Sequence, residues 1–493
     1  MTQVRESEPR MAAPDALENW LSIADVHRNA GRSAEAANYY AFGVNTANRE
    51  LAWHARLQLA RCLLAMGNEG AFLEQALEAW NLQPERAEPL YDLARFYRER
   101  GMYDASVLFC EAGLALPPPP DTAFRVESFV YGAGLMEEYS IAANYASDPL
   151  RKGRGHAACD WLALSRETLP GPRELARNNL YYYAPAAATI MPSFSPTQIA
   201  FSTPPGYRAT NPSISVWSDR LFVLVRTVNY GLREDGTYYS LDGARYRTRN
   251  FLLALDDGTL VTKSHEILPP SDLPEPQYRD EAAFGDVRLF AWRDALWGLA
   301  CYRELTSQGW CEQVLARIDN SSADHCRLAD WRVLRPGPPK RHEKNWMPVS
   351  TGDKLRFIYL CDPTTVLDDD AHRISDSTPA IAAEQFRGGS QAIPFDGGWL
   401  AVIHEVLWRN GRRYYLHRFV WFDAFMILRR VSRSFFFIQK SVEFVAGLAR
   451  HPKSDTLIVS FGVNDSEAWL ATISSLDVRH NLRDLRSAQR TQP

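Results

Sequence analysis

An acidic and a basic side chain two positions apart, at the start of a predicted β-strand, are the first candidates for chemistry in this sequence. Asp286 and Arg288 belong to the run GDVRLF (285–290). Alternate residues of a strand project from the same face, so the carboxylate and the guanidinium are expected on one side of the sheet. Two interpretations stay open at this point. The residues form either an ion pair that fixes a strand end, or an acid and an anion-binding group that face a substrate.

Other residues whose types could do chemistry have simpler interpretations. Arg387 precedes two glycines and could position an anion, although a plain glycine turn is the simpler prediction. The run DDDAH (368–372) resembles a metal-binding segment but predicts an exposed acidic loop. Seven cysteines without CxxC spacing favour free thiols, and His325-Cys326 near Cys311 lacks the further ligands of a zinc site. We therefore expect neither a metal nor a cofactor.

The elements that must position these residues begin with a helical repeat. When residues 57–84 are aligned with residues 91–118, every matching residue lies 34 positions apart, including Gly67 and Gly101. A 34-residue period with glycine at the turn and proline at the end resembles the tetratricopeptide repeat (TPR). Leu and Ala at helical spacing give each helix one apolar face that must stack on the next repeat. The sequence thus predicts a TPR-like α-solenoid domain over residues 15–192.

From Ile199 the sequence changes to short alternating runs separated by Gly, Pro, Asn or Asp. Such runs predict turn-linked strands of an all-β sandwich, barrel or propeller. Five groups occur over about 280 residues, and each is roughly the size of a four-stranded blade. A five-bladed β-propeller over residues 199–480 is the preferred interpretation. The predicted fold class is therefore multidomain, an α-solenoid followed by an all-β propeller.

Composition and charge exclude several classes of function. The formal net charge of −4 and the absence of a basic stripe argue against binding to nucleic acid or an anionic membrane. The first twenty residues contain Glu6, Glu8 and Asp15 and no apolar run, so no secretory signal is predicted. The most apolar stretch, residues 419–438, is interrupted by charged residues and predicts strands with a connecting turn. We expect a cytoplasmic protein without a transmembrane segment.

An ordered set of short motifs in the strand-rich part resembles a known enzyme family. The motifs are NPSI (211–214), GDVRLF (285–290), HEKNWMPV (342–349), FRGGSQAIPFDGGWLAVIHEV (386–406), RYYLHRFVWFD (413–423) and VSFGVNDSEAWLA (459–471). In this order they resemble the five-bladed propeller glycosidases and phosphorylases of β-mannosides, glycoside hydrolase family 130, and the related mannosyltransferase-phosphorylases. The resemblance spans about residues 205–475 and implies a carbohydrate substrate.

The resemblance also implies a set of site residues. Asp286 stands where the family keeps its catalytic acid, and Arg288 follows at the matching position. One departure is that the family's Glu-Asp-Pro-Arg reads Gly-Asp-Val-Arg here, which removes one sugar contact. Two of the other residues also have simpler interpretations. Lys344 could be a solvated lysine in a loop, and His404 could be a core histidine whose hydrogen bonds are satisfied within the protein. The candidate residues for binding sugar or phosphate are Asn211, Arg226, Arg288, His342, Lys344, Arg387, His404 and Asp465.

These residue types suit transfer of a glycosyl group. Cleaving or making a glycosidic bond through an oxocarbenium-like state requires a proton for the leaving oxygen, which one Asp supplies. If phosphate is the nucleophile, no second carboxylate is needed, and cations such as Arg288 and Lys344, with His342 or His404, must hold the anion. The same cations suit the diphosphate of a nucleotide sugar. The family further implies that the Asp passes its proton through a substrate hydroxyl.

We therefore predict an enzyme of the glycosyltransferase or glycoside phosphorylase type. It catalyses inverting, mannoside-like glycosyl transfer with a sugar phosphate or nucleotide sugar as donor and a glycan as acceptor, and hydrolysis is less favoured. The helical repeats favour a role in polysaccharide or glycoconjugate assembly, with a protein partner bound through the repeats. The alternative is a non-catalytic module, in which the propeller binds a glycan and the TPR-like scaffold recruits a partner glycosyltransferase. The altered motif around Asp286 keeps that alternative open.

Overall fold

The computed structural model describes residues 14–120, 122–233, 235–256, 260–282, 284–320, 325–337 and 342–484. Two units divide these residues: the first comprises residues 14–163 and 167–179, and the second comprises residues 164–166 and 180–484. Helices make up the first unit and strands dominate the second. The domain limits predicted from the sequence, 15–192 and 199–480, stay predictions.

Helices occur mainly before residue 190. Their bounds are α1 Pro14–Asn29, α2 Ser33–Gly43, α3 Arg49–Ala65, α4 Glu69–Leu82, α5 Glu88–Glu99, α6 Tyr103–Leu114, a π-helical turn Val130–Gly134, α7 Leu135–Ala142, α8 Pro149–Leu164, α9 Pro170–Tyr183, α10 Ala187–Ile190 and α11 Ser475–Asn481. Gly31, Gly67 and Gly101 join α1 to α2, α3 to α4 and α5 to α6, with φ of 74°, 81° and 71°. Glycine adopts this left-handed conformation without steric cost, so the glycines aligned in the repeat occupy equivalent helix ends.

Small residues allow the helices of neighbouring pairs to pack closely. Ala60 of α3, Ala76 of α4 and Leu93 of α5 are fully buried in one cluster with Phe72 and Phe96. The two phenylalanine ring centroids are 4.9 Å apart. A cluster shared by successive helical pairs is the core that stacked repeats produce.

Short strands follow one another through the second unit. Their bounds are β1 Ser195–Gln198, β2 Arg208–Trp217, β3 Arg220–Val228, β4 Tyr230–Leu232, β5 Tyr238–Ser240, β6 Tyr246–Leu255, β7 Val261–Leu268, β8 Glu281–Ala282, β9 Gly285–Trp292, β10 Ala295–Tyr302, β11 Glu312–Asp319, β12 Cys326–Leu334, β13 Met347–Thr351, β14 Lys354–Cys361, β15 Thr364–Asp368, β16 Arg373–Ser377, β17 Arg387–Gly388, β18 Ile393–Phe395, β19 Gly398–Arg409, β20 Arg412–Phe422, β21 Leu428–Val431, β22 Glu443–Arg450, β23 Thr456–Val463, β24 Glu467–Ser474 and β25 Arg483–Asp484.

The strands pair mostly with their neighbours in the chain. One sheet has the order β2-β3-β6-β7-β12-β11-β10-β9, in which β7 and β12 are parallel and the other neighbours are antiparallel; β8 adds to β6 in parallel. The other sheets are β13-β14-β15-β16, β17-β19-β20-β21-β25 with β18 beside β19, and β1-β24-β23-β22. The hairpin β4–β5 forms a separate two-stranded sheet. These pairings alone do not assign the five-bladed arrangement predicted from the sequence.

The apolar stretch at residues 419–438 contains the end of β20, a turn and β21, as the sequence predicts. Among the helices of the described ranges, none has the length and apolar character needed to cross a membrane.

Candidate functional site

A cavity of about 250 Å³ lies in the strand-rich unit and brings together side chains from distant parts of the chain. It is lined by Asn211, Arg226, Tyr230, Tyr238, Tyr246, Asp286, Lys344, Asn345, Arg387, His404, Arg413, Tyr415, Val442, Phe444 and Asp465. Seven of these were predicted from the sequence: Asn211, Arg226, Asp286, Lys344, Arg387, His404 and Asp465.

Left-handed backbone aims four of the polar side chains. Asn211, Asp286, Asn345 and Asp465 have φ of 43°, 44°, 65° and 48°. Asn and Asp tolerate this conformation better than other residues with a side chain, which explains why these types occupy the positions. The β2–β3 register shifts beside Asn211, and the β9–β10 register shifts beside Asp286. Such irregularities re-aim a side chain at the end of a strand.

The two carboxylates are joined through one amide. Asn211 Nδ2 donates to Asp286 Oδ1 at 3.1 Å and to Asp465 Oδ1 at 3.5 Å. Arg226 Nη1 donates to Asp286 Oδ1 at 2.8 Å, and the Tyr238 hydroxyl donates to Asp465 Oδ2 at 3.0 Å. Arg413 Nη2 in turn donates to the Tyr238 hydroxyl at 2.9 Å. A continuous polar network therefore runs from Arg226 to Arg413 across the cavity.

The environments of the two carboxylates move their pKa values in opposite directions. Burial alone would raise the pKa of Asp286, but Arg226, Arg288, the Asn211 amide and Lys344 together hold this pKa below its ordinary value. Burial raises the pKa of Asp465, and the nearby charge of Asp286 adds to the effect. Carboxyl groups whose pKa values are pushed apart in one site are suited to different steps of acid–base chemistry.

Arg288 supports the site from a buried position and is not among the residues that line the cavity. Its side chain is 1% exposed. Nε donates to Gly389 O at 3.0 Å, Nη1 to Asp286 O at 2.7 Å and Nη2 to Asn345 Oδ1 at 3.1 Å. The simple alternation assumed from the sequence fails here because the left-handed backbone at Asp286 turns that side chain away from the regular strand direction. Arg288 thus ties together the three segments that carry Asp286, Asn345 and Arg387.

Two cations in the cavity are available to a ligand. Within the described ranges, the side chains of Lys344 and Arg387 make no hydrogen bond or ion pair, and both residues are exposed. His404, paired with Arg387 across β17 and β19, is buried and its ring stacks on Tyr415 with centroids 5.0 Å apart. Burial, His417 and the neighbouring cations lower the pKa of His404 well below its ordinary value, so this residue is neutral at pH 7. The anion-binding charge therefore comes from Lys344 and Arg387.

His342 lies apart from this group. Its Nδ1 accepts a hydrogen bond from the backbone N–H of Cys311 at 3.1 Å, and its side chain is exposed outside the set that lines the cavity. Among the residues that the structure describes, no group of three or more His, Cys, Asp or Glu side chains is arranged to hold a metal ion.

Sequence reasoning missed most of the aromatic wall of the cavity. Tyr230 and Tyr238 come from the β4–β5 hairpin, an excursion between the paired strands β3 and β6, and their rings are 5.2 Å apart. No spacing rule connects such a hairpin to residues more than 170 positions away. Arg413 and Tyr415 did carry a signal, because they alternate along β20 within one of the quoted motifs.

Buried neutral histidines predict a loss of stability in acid. Burial lowers the pKa of His54 to about 4 and that of His417 to about 3, and it also lowers that of His404. In the unfolded chain these groups titrate near 6.5, so their contribution is complete above that pH and is lost as the pH falls below it. We expect the free energy of unfolding to drop by about 1.4 kcal/mol per pH unit for each histidine between pH 6 and pH 4. Denaturant titrations at several pH values measure the slope.

The matched variant is His417→Phe. It removes one titrating group, so the free energy of unfolding should fall by about 1.4 kcal/mol less per pH unit than in the wild type. Phe419→Leu provides the control, because Phe419 is buried on the same strand, β20, and does not titrate; it should lower stability without changing the slope. An unchanged slope in His417→Phe contradicts the prediction.

Comparisons with known proteins give distant structural likenesses. No family model matches the chain, and no curated protein matches it. β-1,2-Mannobiose phosphorylase from Listeria innocua is 12% identical, covers 60% of this chain and 98% of its own, and has a TM-score of 0.39. A mannose phosphorylase from Leishmania mexicana is 12% identical over 58% of this chain and 90% of its own, with a TM-score of 0.38. A Podosopora anserina putative kinesin light chain with TPR-like repeats is 19% identical over 35% and 87%, with a TM-score of 0.27.

Proposed function

We propose that the chain is a glycosyl-transfer enzyme that uses phosphate or a phosphate-bearing sugar donor. The observation that carries the proposal is the pairing, in one cavity, of two carboxylates with two cations that have no described partner. Asp286 supplies the acid–base group, Asp465 supplies a second carboxylate, and Lys344 and Arg387 supply charge for an anion. Asn211 holds both carboxylates in place. Sugar hydroxyls and a phosphate group require this combination of acceptors and cations.

The protonation state of Asp286 in the unliganded site suits glycosyl transfer in the synthetic direction. The lowered pKa of Asp286 leaves that carboxylate ionised and able to accept the proton of an acceptor hydroxyl as the new glycosidic bond forms. The bond from the anomeric carbon to the phosphate oxygen breaks, and Lys344 and Arg387 hold the released phosphate or nucleotide. In the reverse direction the bound anion offsets the nearby positive charge, which raises the Asp286 pKa and favours proton donation to the leaving oxygen. Assembly of a mannoside-like glycan is the corresponding role.

The fold in this proposal is a five-bladed propeller over residues 199–480 preceded by a TPR-like solenoid over residues 15–192. Four-stranded antiparallel runs support the blades: β2-β3-β6-β7, β9 to β12, β13 to β16, β17 with β19 to β21, and β22 to β24 with β1. In the last run an early strand closes the sheet formed by late strands. The first strand of each run, or the short segment just before it, contributes to the cavity. The helical repeats would bind a protein partner.

The two carboxylates lie at or below the shortest separation that inverting hydrolases use. Asp286 Oδ1 and Asp465 Oδ1 accept from the same nitrogen, so they lie no further apart than two hydrogen bonds placed end to end. Inverting hydrolases keep their carboxyl groups roughly 6.5–9.5 Å apart to admit a water, whereas retaining enzymes keep them about 5–5.5 Å apart. A double displacement, with Asp286 as nucleophile and Asp465 as acid, is therefore the second candidate beside single inverting displacement.

The test is turnover of a panel of sugar 1-phosphates and nucleotide sugars with mixed glycan acceptors. Mannose donors and β-mannosides are included, and phosphate or nucleotide release is followed. The anomeric configuration of the first product, read by proton NMR, separates inversion from retention. Silence across the panel, with glycan binding retained, assigns the chain to the non-catalytic alternative.

Tyr238→Phe tests whether the hairpin positions Asp465. The variant keeps the ring but removes the hydroxyl that donates to Asp465 and accepts from Arg413. We expect kcat/KM to fall by about ten- to a hundredfold, since one hydrogen bond to a charged group contributes roughly 1.5–3 kcal/mol. The Asp465 limb of the pH profile should move to higher pH, because the Tyr238 hydroxyl lowers the pKa of Asp465. Tyr239→Phe, one residue along, should change neither quantity.

A further inference from the structure

Trp408 is exposed to solvent although it belongs to a residue type that is normally well covered. The sequence has fourteen tryptophans, and all of them lie in the described ranges. Trp408 is the only one of the fourteen that is mostly exposed, with 63% of its surface accessible. A single exposed apolar side chain is ordinary by itself, so the place of Trp408 in the fold decides what it can contact.

The register of β19 and β20 places Trp408 beside the cavity. Trp408 pairs directly with Arg413, and two positions along the same hairpin Val406 pairs with Tyr415. Residues directly opposite each other in an antiparallel pair share a face of the sheet. Since Arg413 and Tyr415 both line the cavity, Trp408 projects from the cavity side of the hairpin. Its position near the hairpin end puts it at the rim.

A second hairpin meets this rim. Tyr238 of β5 accepts from Arg413 at 2.9 Å, so the β4–β5 hairpin contacts the same end of β20. At the turns, a side chain at Gly236 would lie 3.4 Å from the carbonyl oxygen of Gly411. The β4–β5 and β19–β20 hairpins thus meet at the end of β20 where Trp408 lies.

The size of the cavity indicates what an exposed indole there would contact. At about 250 Å³ it is smaller than the roughly 300–1,000 Å³ of pockets that enclose a whole drug-sized ligand. A glycan that places its reacting end at Asp286 must therefore continue past the rim. Sugar rings present apolar C–H faces, and the negatively polarised face of an indole attracts such groups.

We propose that Trp408 is a sugar-binding platform that stacks on a residue of the glycan acceptor beyond those held inside the cavity. This inference rests on the proposed function in taking the ligand to be a glycan. It adds that the site distinguishes longer acceptors from shorter ones through one exposed side chain. Arg413 borders both regions, since it lines the cavity and pairs with Trp408.

Binding, measured without turnover, tests the proposal. Calorimetric titration of the full chain with β-mannosides of two to six sugars should give affinities that rise with length in the wild type. Trp408→Ala should weaken binding of the hexamer about tenfold and that of the dimer less than twofold. Trp408→Tyr, which keeps an aromatic face, should restore most of the lost affinity.

Phe425→Ala provides the matched control, because Phe425 is 82% exposed in the turn after β20, at the other end of the β19–β20 pair. It should leave every affinity unchanged. Equal weakening of dimer and hexamer in Trp408→Ala overturns the proposal, as does a wild type that binds no member of the ladder. Turnover of the sugar-phosphate panel together with equal weakening would refute the platform and leave the proposed function standing.

Discussion

Replacing Asp286 by Asn should reduce glycosyl transfer by about a thousandfold, within the range that a general acid–base group contributes. Asn is nearly isosteric and keeps an oxygen toward Arg226 Nη1 and Asn211 Nδ2, which now bond the carboxylate at 2.8 and 3.1 Å. It can neither take a proton from an acceptor hydroxyl nor act as a nucleophile. Release of phosphate or nucleotide by wild type and variant, run side by side, measures the loss.

Asp465→Asn is the matched comparison, because this second carboxylate shares the Asn211 amide. In a single displacement Asp465 only holds sugar hydroxyls, and its loss should cost about tenfold. In a double displacement Asp465 is the acid, and its loss should approach that of Asp286→Asn. Turnover of Asp286→Asn within tenfold of wild type contradicts the assigned role in both mechanisms. Glycan affinity, measured by calorimetry, should survive in Asp286→Asn.

The coarse fold was predictable because it follows from local patterns. The helical pairs follow from a 34-residue period and from glycines at helix ends, and Gly67 and Gly101 indeed have positive φ. The strands follow from alternation and turn residues, and β9, Gly285–Trp292, lies where the run GDVRLF (285–290) predicts a strand. How the sheets are arranged depends on contacts between distant residues, which local patterns do not contain.

The candidate site likewise contains residues that local motifs predict and residues that depend on contacts distant in the chain. Asp286, Lys344 and Asp465 were found because they lie in ordered motifs at strand ends. The burial of Arg288 was not predictable from alternation, since it depends on the left-handed backbone at Asp286. Tyr238 was missed because its partner, Asp465, is 227 positions away in the chain. Sequence reasoning therefore recovered the charged groups better than the residues that hold them.

Replacing Arg288 by Lys should destabilise the protein and disable the site together. The guanidinium donates at 3.1 Å or less to Gly389 O, Asp286 O and Asn345 Oδ1. A single ammonium group cannot reach acceptors on three segments. The acceptors that lose their hydrogen bond then remain buried without a donor. We expect the free energy of unfolding to fall by about 3–5 kcal/mol, the usual consequence of disrupting a buried charged network. Denaturant titration and kinetics on the same preparation measure both effects.

The kinetic pattern decides between the two interpretations that the sequence left open for Arg288. An anion clamp predicts a higher KM for phosphate with stability preserved, whereas a positioning residue predicts a lower kcat with that KM little changed. Arg387→Lys is the control, because Arg387 is exposed in the same cavity and has no described partner. That variant should raise the KM for phosphate at wild-type stability. If Arg288→Lys has wild-type stability and a raised KM for phosphate, as expected for Arg387→Lys, Arg288 binds the anion directly.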